Sequence, residues 1–178
     1  MNVDKKYDII YMDPPWRYNS KQMSGGSKIE DHYPTMSMQE LKDLPVNELT
    51  NKDSLIYMWV TNPFVSEGID LAREWGFQFR TIAFIWDKQS YTPGFYTGAS
   101  CEVCLVFKKK GGKIPQPRGS RKEWQFISEK KREHSRKPDE VRARLERMHP
   151  EQSKLEMFAR TAPEGWDVWG NQTNKFTS

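Results

Sequence analysis

The stretch Tyr7-Asp8-Ile9-Ile10-Tyr11-Met12, running straight into Asp13-Pro14-Pro15-Trp16, decides how the chain is read. Six residues rich in Ile, Tyr and Met make a buried strand, and the paired prolines forbid its continuation because they lack N–H donors and fix φ. Ser37-x-x-Glu40 is a capping box, predicting a short helix over Met38 to Leu44. Leu55 to Val60 is a second buried strand, ended by Thr61-Asn62-Pro63. Ile69 to Trp75 reads as a helix with Gly76 as its cap, Phe77 to Trp86 as a third strand and Glu102 to Phe107 as a fourth. Pro138 at a first helical position, with Asp139 and Glu140 behind it, starts a helix whose Val141, Leu145 and Met148 share a face. Lys154 to Phe158 and Asp167 to Trp169 are late strands. Alternating strands and helices imply a layered α/β fold, in which ligands bind at the carboxyl ends of the strands. Asp13 stands at such an end.

A chain of 178 residues suffices for one well-buried domain, expected over 1–178. No stretch approaches the roughly 18 to 20 apolar residues of a membrane span, and the start MNVDKKYD lacks a signal-peptide core, so no membrane role is expected. Cys101 and Cys104 supply only half of a four-ligand zinc set and are read as reduced thiols in a strand; no metal site is expected, and His32 and His149 are read as surface or local structure. The net charge of +4 is unevenly spread. Residues 108–136 hold eleven Lys/Arg against three acids, an excess of +8 that leaves −4 for the rest. This basic, loop-rich segment suits a polyanion, with Arg118, Arg121 and Lys122 as candidate phosphate contacts; its other reading is a solvated loop.

The tetrad offers a planar nucleobase amine a specific set of groups. The Asp13 carboxylate accepts one N–H, the Pro14 carbonyl accepts the other, Pro15 holds both in place, and Trp16 presents a stacking face. Two acceptors favour a tetrahedral nitrogen whose lone pair is freed from the ring to attack a methyl sulfonium, without a metal or a strong base. The plainer reading is a turn after a strand, with Trp16 in the core. Asn62-Pro63-Phe64 serves equally as pocket wall or strand-ending turn. The polar run Ser20 to Asp31 is either a closing loop or a plain connection, and Tyr91, Phe95 and Tyr96 are either a stacking wall or core, with core the expectation for at least one. His134 is read as a local hydrogen-bonding residue.

Five blocks in order, YDIIYMDPPWRY, HYPTMSMQELKDLPV, HSRKPDEVRARLERMHP, KLEMFAR and GWDVWGNQ, resemble the adenine-N6 methyltransferases typified by the catalytic subunit of the eukaryotic messenger-RNA writer, with its phage and bacterial DNA-adenine relatives. The likeness runs from Tyr7 to about Gln172. It implies a Rossmann-like S-adenosylmethionine (SAM) fold in permuted order, with the tetrad early and cofactor-binding residues late. Carried over by position, Asp13, Pro14, Pro15 and Trp16 hold the target adenine; Lys109 meets the methionine carboxylate; Glu156 and Arg160 contact the ribose and order the site; Asn171 and Gln172 surround the ribose and adenine of SAM.

Two departures bear on the cofactor. Twelve residues precede Asp13, where relatives carry further adenine contacts, so that contact is expected from Asp8, Gln172 or a partner. Thr161-Ala162-Pro163 replaces a histidine and asparagine of some relatives, which implies a more open pocket. The expected activity is SAM-dependent methylation of adenine N6 in DNA, with RNA as the alternative polymer and a catalytically silent nucleic-acid-binding subunit as the rival class. A homodimer or a heterodimer with a related subunit fits the resemblance, as does the cytoplasm of a bacterial or phage-infected cell.

Overall fold

The computed structural model describes residues 4–17, 35–94, 96–132 and 136–170. Seven strands form one sheet: β1 (Tyr7–Met12), β2 (Thr50–Val60), β3 (Phe77–Thr92), β4 (Ala99–Lys109), β5 (Phe126–Ser128), β6 (Lys154–Met157) and β7 (Asp167–Trp169), with α1 (Met38–Lys42), α2 (Val65–Glu74) and α3 (Asp139–Met148) between them. The strand order is β5-β3-β4-β2-β1-β6-β7. β1 is parallel to both β2 and β6, β6 to β7 and β3 to β5, while β4 runs antiparallel to β2 and β3. Only β4 is reversed. The result is a mixed, Rossmann-like α/β sheet.

Period-two alternation sorts the central strands between two cores. Ile10, Met12, Ile56, Met58 and Phe107 face α1 and α2, joined by Leu41, Leu71 and Ala72. Ile9, Tyr11, Tyr57, Trp59, Phe84 and Trp86 face the other way, against Val141 and Leu145 of α3. A strand covered on both faces needs a continuous apolar run, which is why YDIIYM and LIYMWV are legible. The capping box forms as expected, with the Ser37 side chain accepting from Glu40 N and the Glu40 carboxylate accepting from Ser37 N. Gly76 takes φ +83 just past α2 and returns its N–H to the Arg73 carbonyl.

Several boundaries differ from expectation. β3 continues to Thr92 and forms a hairpin with β4, so Trp86 to Glu102 is largely strand. Tyr91 and Tyr96 are 72% and 100% exposed, not core, and Phe95 lies outside the described residues. Pro138 is the N-cap of α3, not its first helical residue, because its ψ of 130° is extended. The basic, loop-rich segment 108–136 contains β5, a strand too short for its periodicity to show in sequence.

Candidate active site

The chain leaves β1 toward β2 on one side, while β6, its neighbour on the other side, leads outward to β7. Strand order therefore reverses between β1 and β6, and a crevice opens beyond their carboxyl ends. Asp13 follows β1 there; the turn Phe158-Ala159-Arg160 follows β6, with Phe158 at φ +60. The loop before α3 brings Arg136 and Lys137 over the same crevice, whose walls also include Tyr11, Glu156 and Thr161.

Lys137 is the hub. Its Nζ lies 3.1 Å from Asp13 Oδ2 and 2.7 Å from Glu102 Oε2, above the rings of Trp59 and Trp86 at 5.6 and 5.9 Å from their centroids. Glu102 reaches this edge because β4 is reversed, so its beginning lies beside the ends of β1 and β2. The second Glu102 oxygen faces Lys88 Nζ at 3.4 Å. Glu102 and Lys137 side chains are only 8% and 12% exposed, while Asp13 keeps 30%, which makes it the carboxylate an incoming group can reach.

Burial raises the proton affinity of Asp13, and the Lys137 ammonium offsets this only in part, leaving the carboxyl above its ordinary range. Burial also acts on Glu102, but Lys137 and Lys88 together outweigh it and hold that carboxyl low. For Lys137 itself burial disfavours the charge, and Asp13 and Glu102 more than reverse that, so it stays protonated. The cluster thus contains a firmly ionised Glu–Lys pair beside a carboxylate with enhanced affinity for protons. Arg160 adds a positive field at Asp13.

The tetrad is wired from both sides. Pro14 O accepts from Trp16 N at 2.9 Å and Pro15 O from Met36 N at 2.9 Å. Trp16, expected to offer a stacking face, is 6% exposed: its ring lies 5.6 Å from that of Phe64 and its Nε1 is 3.4 Å from the Trp59 carbonyl. It anchors the tetrad to β2 from within the core. Asn62-Pro63-Phe64 forms a 3-10 turn and contributes Phe64 to this packing. The 20–31 run and His134 lie outside the described residues, as do Asn171 and Gln172. Gly170, just before those two, passes so close to the β6 turn that a Cβ would meet Ala159 O at 2.6 Å, so glycine is required where the chain enters this region.

Other expected residues are placed differently. Lys109 ends β4, hence lies at the opposite sheet edge, where its Nζ donates to Asn47 O, Thr50 O and Thr50 Oγ1 at 2.9 to 3.1 Å. It does not reach Asp13. Asp8, at the start of β1, is also on that far edge and is engaged by Asn51 Nδ2 and Ser153. Glu156 does line the crevice, but both its oxygens accept from Arg142, at 2.9 and 3.1 Å, so it stiffens the wall. The segment 119–132 runs back along α3: Gly119 N donates to Met148 O, Arg144 Nη1 to Trp124 O, and Arg132 pairs with Asp139. Arg118 therefore sits near the far end of α3, about 15 Å from Lys137 at 1.5 Å rise per residue, and Arg121 and Lys122 lie a little further along the return. Of the bases in the 108–136 segment, Arg136 lines the crevice and pairs with Asp139, as Arg132 does, and Lys131 donates its N–H to Lys88 O.

Sequence reasoning missed Lys137 and Glu102. Lys137 carried a signal as the residue before the proline that caps a helix, inside HSRKPDE; Glu102 carried one as the acid in the otherwise apolar run SCEVCLVF. His149, expected at the surface or in a local role, is 3% exposed, with Nε2 at 2.8 Å from Tyr57 Oη.

With this geometry in place, the comparisons with known proteins are specific. The MT-A70 family model matches residues 7–172. The type II methyltransferase M.MunI of Mycoplasma sp is similar at 40% identity over 182 residues, covering 93% of this chain and 77% of that protein. An N(6)-adenosine-methyltransferase MT-A70-like protein of Arabidopsis thaliana is 34% identical over 184 residues, and the N(6)-adenine-specific methyltransferase METTL4 of Mus musculus 29% identical over 196. Those two alignments cover 98% and 99% of this chain, which spans only 25% and 39% of their lengths. The chain belongs to the MT-A70 family.

Proposed function

We propose that this protein transfers a methyl group from SAM to the exocyclic N6 amine of adenine in DNA, using the Asp13-Pro14-Pro15-Trp16 tetrad in a permuted Rossmann-like order. The observation that carries the reading is the reachable Asp13 carboxylate at the β1–β6 crevice, with raised proton affinity and a buried Lys137–Glu102 pair beside it. Membership of a methyltransferase family supports SAM as the methyl donor, and the groups at the crevice fit such a molecule: Lys137, Arg136 and Arg160 offer positive charge to a carboxylate, and the Gly170 approach leads to Asn171 and Gln172. SAM supplies an electrophilic methyl on a sulfonium.

The chain's own residues do the rest. Asp13 accepts one N–H of the target amine and the free lone pair of the Pro14 carbonyl accepts the other, which draws the nitrogen toward a tetrahedral shape. Lys137 now donates to Asp13, so the amine takes over that hydrogen bond while Lys137 stays anchored on Glu102. As the nitrogen gains positive charge, the Asp13 carboxylate stabilises it, and its raised proton affinity suits it to receive the departing proton. Arg142 and Glu156 hold the wall, and Trp16 fixes the tetrad's direction. Arg118, Arg121 and Lys122, exposed along the return beside α3, make phosphate contacts distant from the chemistry.

DNA is favoured because the Mycoplasma type II methyltransferase matches this chain over most of both lengths. No helix among the described residues is long and apolar enough to cross a membrane; the cytoplasm of a bacterial or phage-infected cell is the proposed setting. Mass spectrometry of N6-methyladenine in the DNA and RNA of cells with and without the protein tests the reading. The expected gain is in DNA; a gain confined to RNA transfers the proposal to RNA, and no gain in either overturns it.

A further inference from the structure

Among the six exposed large apolar side chains of the described residues, Trp124 and Phe126 stand two positions apart at β5, the edge strand of the sheet. Trp124 is 80% exposed and Phe126 55%, although neither is loosely held. Arg144 Nη1 donates to both of their carbonyls, at 2.5 and 3.1 Å. The intervening Gln125 accepts from Ile85 N through its carbonyl at 2.9 Å and donates from its side chain to Ile82 O at 2.6 Å. Arg147 makes two bonds to the Glu123 carboxylate. Ile127, on the opposite side of the strand from Phe126, is sunk in the core under α3. The backbone carbonyls of 124, 125 and 126 are thus each held, and Glu123 is held through its side chain, while two aromatic rings are left in water.

Burying both rings against the domain would have removed apolar area from solvent, so a fixed backbone presenting them outward has the form of a docking platform. Its surroundings select the occupant. Arg121, Lys122 and Lys130, all exposed, flank the rings, and none of them makes an ion pair among the described residues. The acids of the segment are already engaged, Glu123 by Arg147 and Glu129 by Arg132. A second copy docking through the same patch would set these cations against themselves, whereas a polyanion with planar groups complements both charge and rings.

We propose that Trp124 and Phe126 are a stacking platform for bases of an unpaired nucleic-acid strand, with Arg121, Lys122 and Lys130 on its phosphates. Four strand spacings of about 4.8 Å separate β5 from β1, so the platform lies about 20 Å from the edge carrying Asp13. It takes flanking nucleotides, not the target. Base faces are hidden inside a duplex, so the platform requires single-stranded substrate on this side of the site. The inference extends the nucleic-acid reading above but needs no methyl transfer.

Fluorescence anisotropy with a labelled 20-nucleotide single strand lacking adenine, and with its duplex, tests it on the full chain. Each stacked base lost is worth roughly fivefold or more, so Trp124→Ala/Phe126→Ala should weaken single-strand binding at least about 25-fold, with duplex affinity moving less than twofold. Trp124→Phe in the wild-type background should retain most of the affinity. Equal affinity of variant and wild type for the single strand, equal losses on strand and duplex, or a wild-type dimer that becomes monomeric in the double variant by sedimentation would each overturn the proposal. Because the oligonucleotide has no adenine, failure of the methylation reading leaves this result standing. The reverse also holds.

Discussion

The two edges of the sheet treat charge in opposite ways. At the carboxyl-end edge, Lys137 is shared between two carboxylates, one of which keeps 30% exposure and an elevated proton affinity. At the other edge, Lys109 is spent on the carbonyls of Asn47 and Thr50 and the Thr50 hydroxyl, and Asp8 on Asn51 and Ser153. Local donors and acceptors engage both charged groups at the far edge, so they hold loops in place. The near edge keeps one acceptor accessible and backs it with a buried ion pair. The two ends of the same sheet differ in that unspent capacity, because both contain Lys and Asp.

The strongest way to break the contrast is to remove the unspent acceptor. Asp13→Asn keeps one hydrogen-bond acceptor but loses the charge that meets the developing ammonium; methyl transfer should fall at least about 1000-fold, near 4 kcal/mol of barrier, with SAM affinity within about tenfold by calorimetry. Near-normal turnover would remove Asp13 from the chemistry. Lys137→Met comes next. Losing one partner of a buried ion pair costs about 3 to 5 kcal/mol of stability, and it leaves Asp13 and Glu102 without the cation that lowers both of their pKa values. Both carboxyls then move upward, so the acid limb of the rate profile should shift to higher pH. A uniform loss of rate at every pH would mean that Lys137 serves packing alone.

How much of this was legible in the sequence follows the same division. β1, β7 and the cap of α1 could be read because each is local: an apolar run, two prolines, a Ser-x-x-Glu. Asp13 was legible because it stands where a buried strand is forced to stop. Glu102 and Lys137 are 35 positions apart in sequence and meet only because β4 is antiparallel, which no local pattern announces. The same reversal sets Lys109, which the resemblance assigns to the methionine carboxylate, at the far edge, since the end of β4 lies opposite the ends of its neighbours. Trp16 illustrates a different limit, since a tryptophan beside a candidate site reads as a platform until the fold shows the ring packed on Phe64. The exposed tryptophan, Trp124, sits in the segment that looked least structured.

His149, the C-cap of α3 at its far end, makes a smaller prediction. Burial first, with Lys154 and Arg118 adding to it, pushes its pKa down to about 4 from 6.5. The unfolded chain takes up a proton below about 6.5 and the folded chain does so only near 4, so stability is complete above 6.5 and declines as pH falls between the two values. The full loss is about 3 kcal/mol at 1.36 kcal/mol per pKa unit. Chemical denaturation at pH 7.5 and pH 4.5 should show most of it, and His149→Gln should flatten the pH dependence. An equally steep decline in that variant would move the effect to other groups.

The smallest expected effect sharpens the comparison most. Lys109→Gln removes an ammonium that caps Asn47 and Thr50 carbonyls at the turn into β2, and Thr50 Oγ1 still reaches the Val46 and Asn47 carbonyls at 3.3 and 3.0 Å. Hydrogen bonds from a charged donor contribute about 1.5 to 3 kcal/mol when fully lost; glutamine restores part of the donation, so a destabilisation of about 1 kcal/mol is expected in urea titration. The SAM dissociation constant and kcat should not change, since most of the length of β4 separates this lysine from Glu102 and the crevice. A rise in the SAM constant beyond about threefold, at unchanged stability, would show that the far edge communicates with the cofactor and that the two ends are not the independent regions their hydrogen bonding makes them.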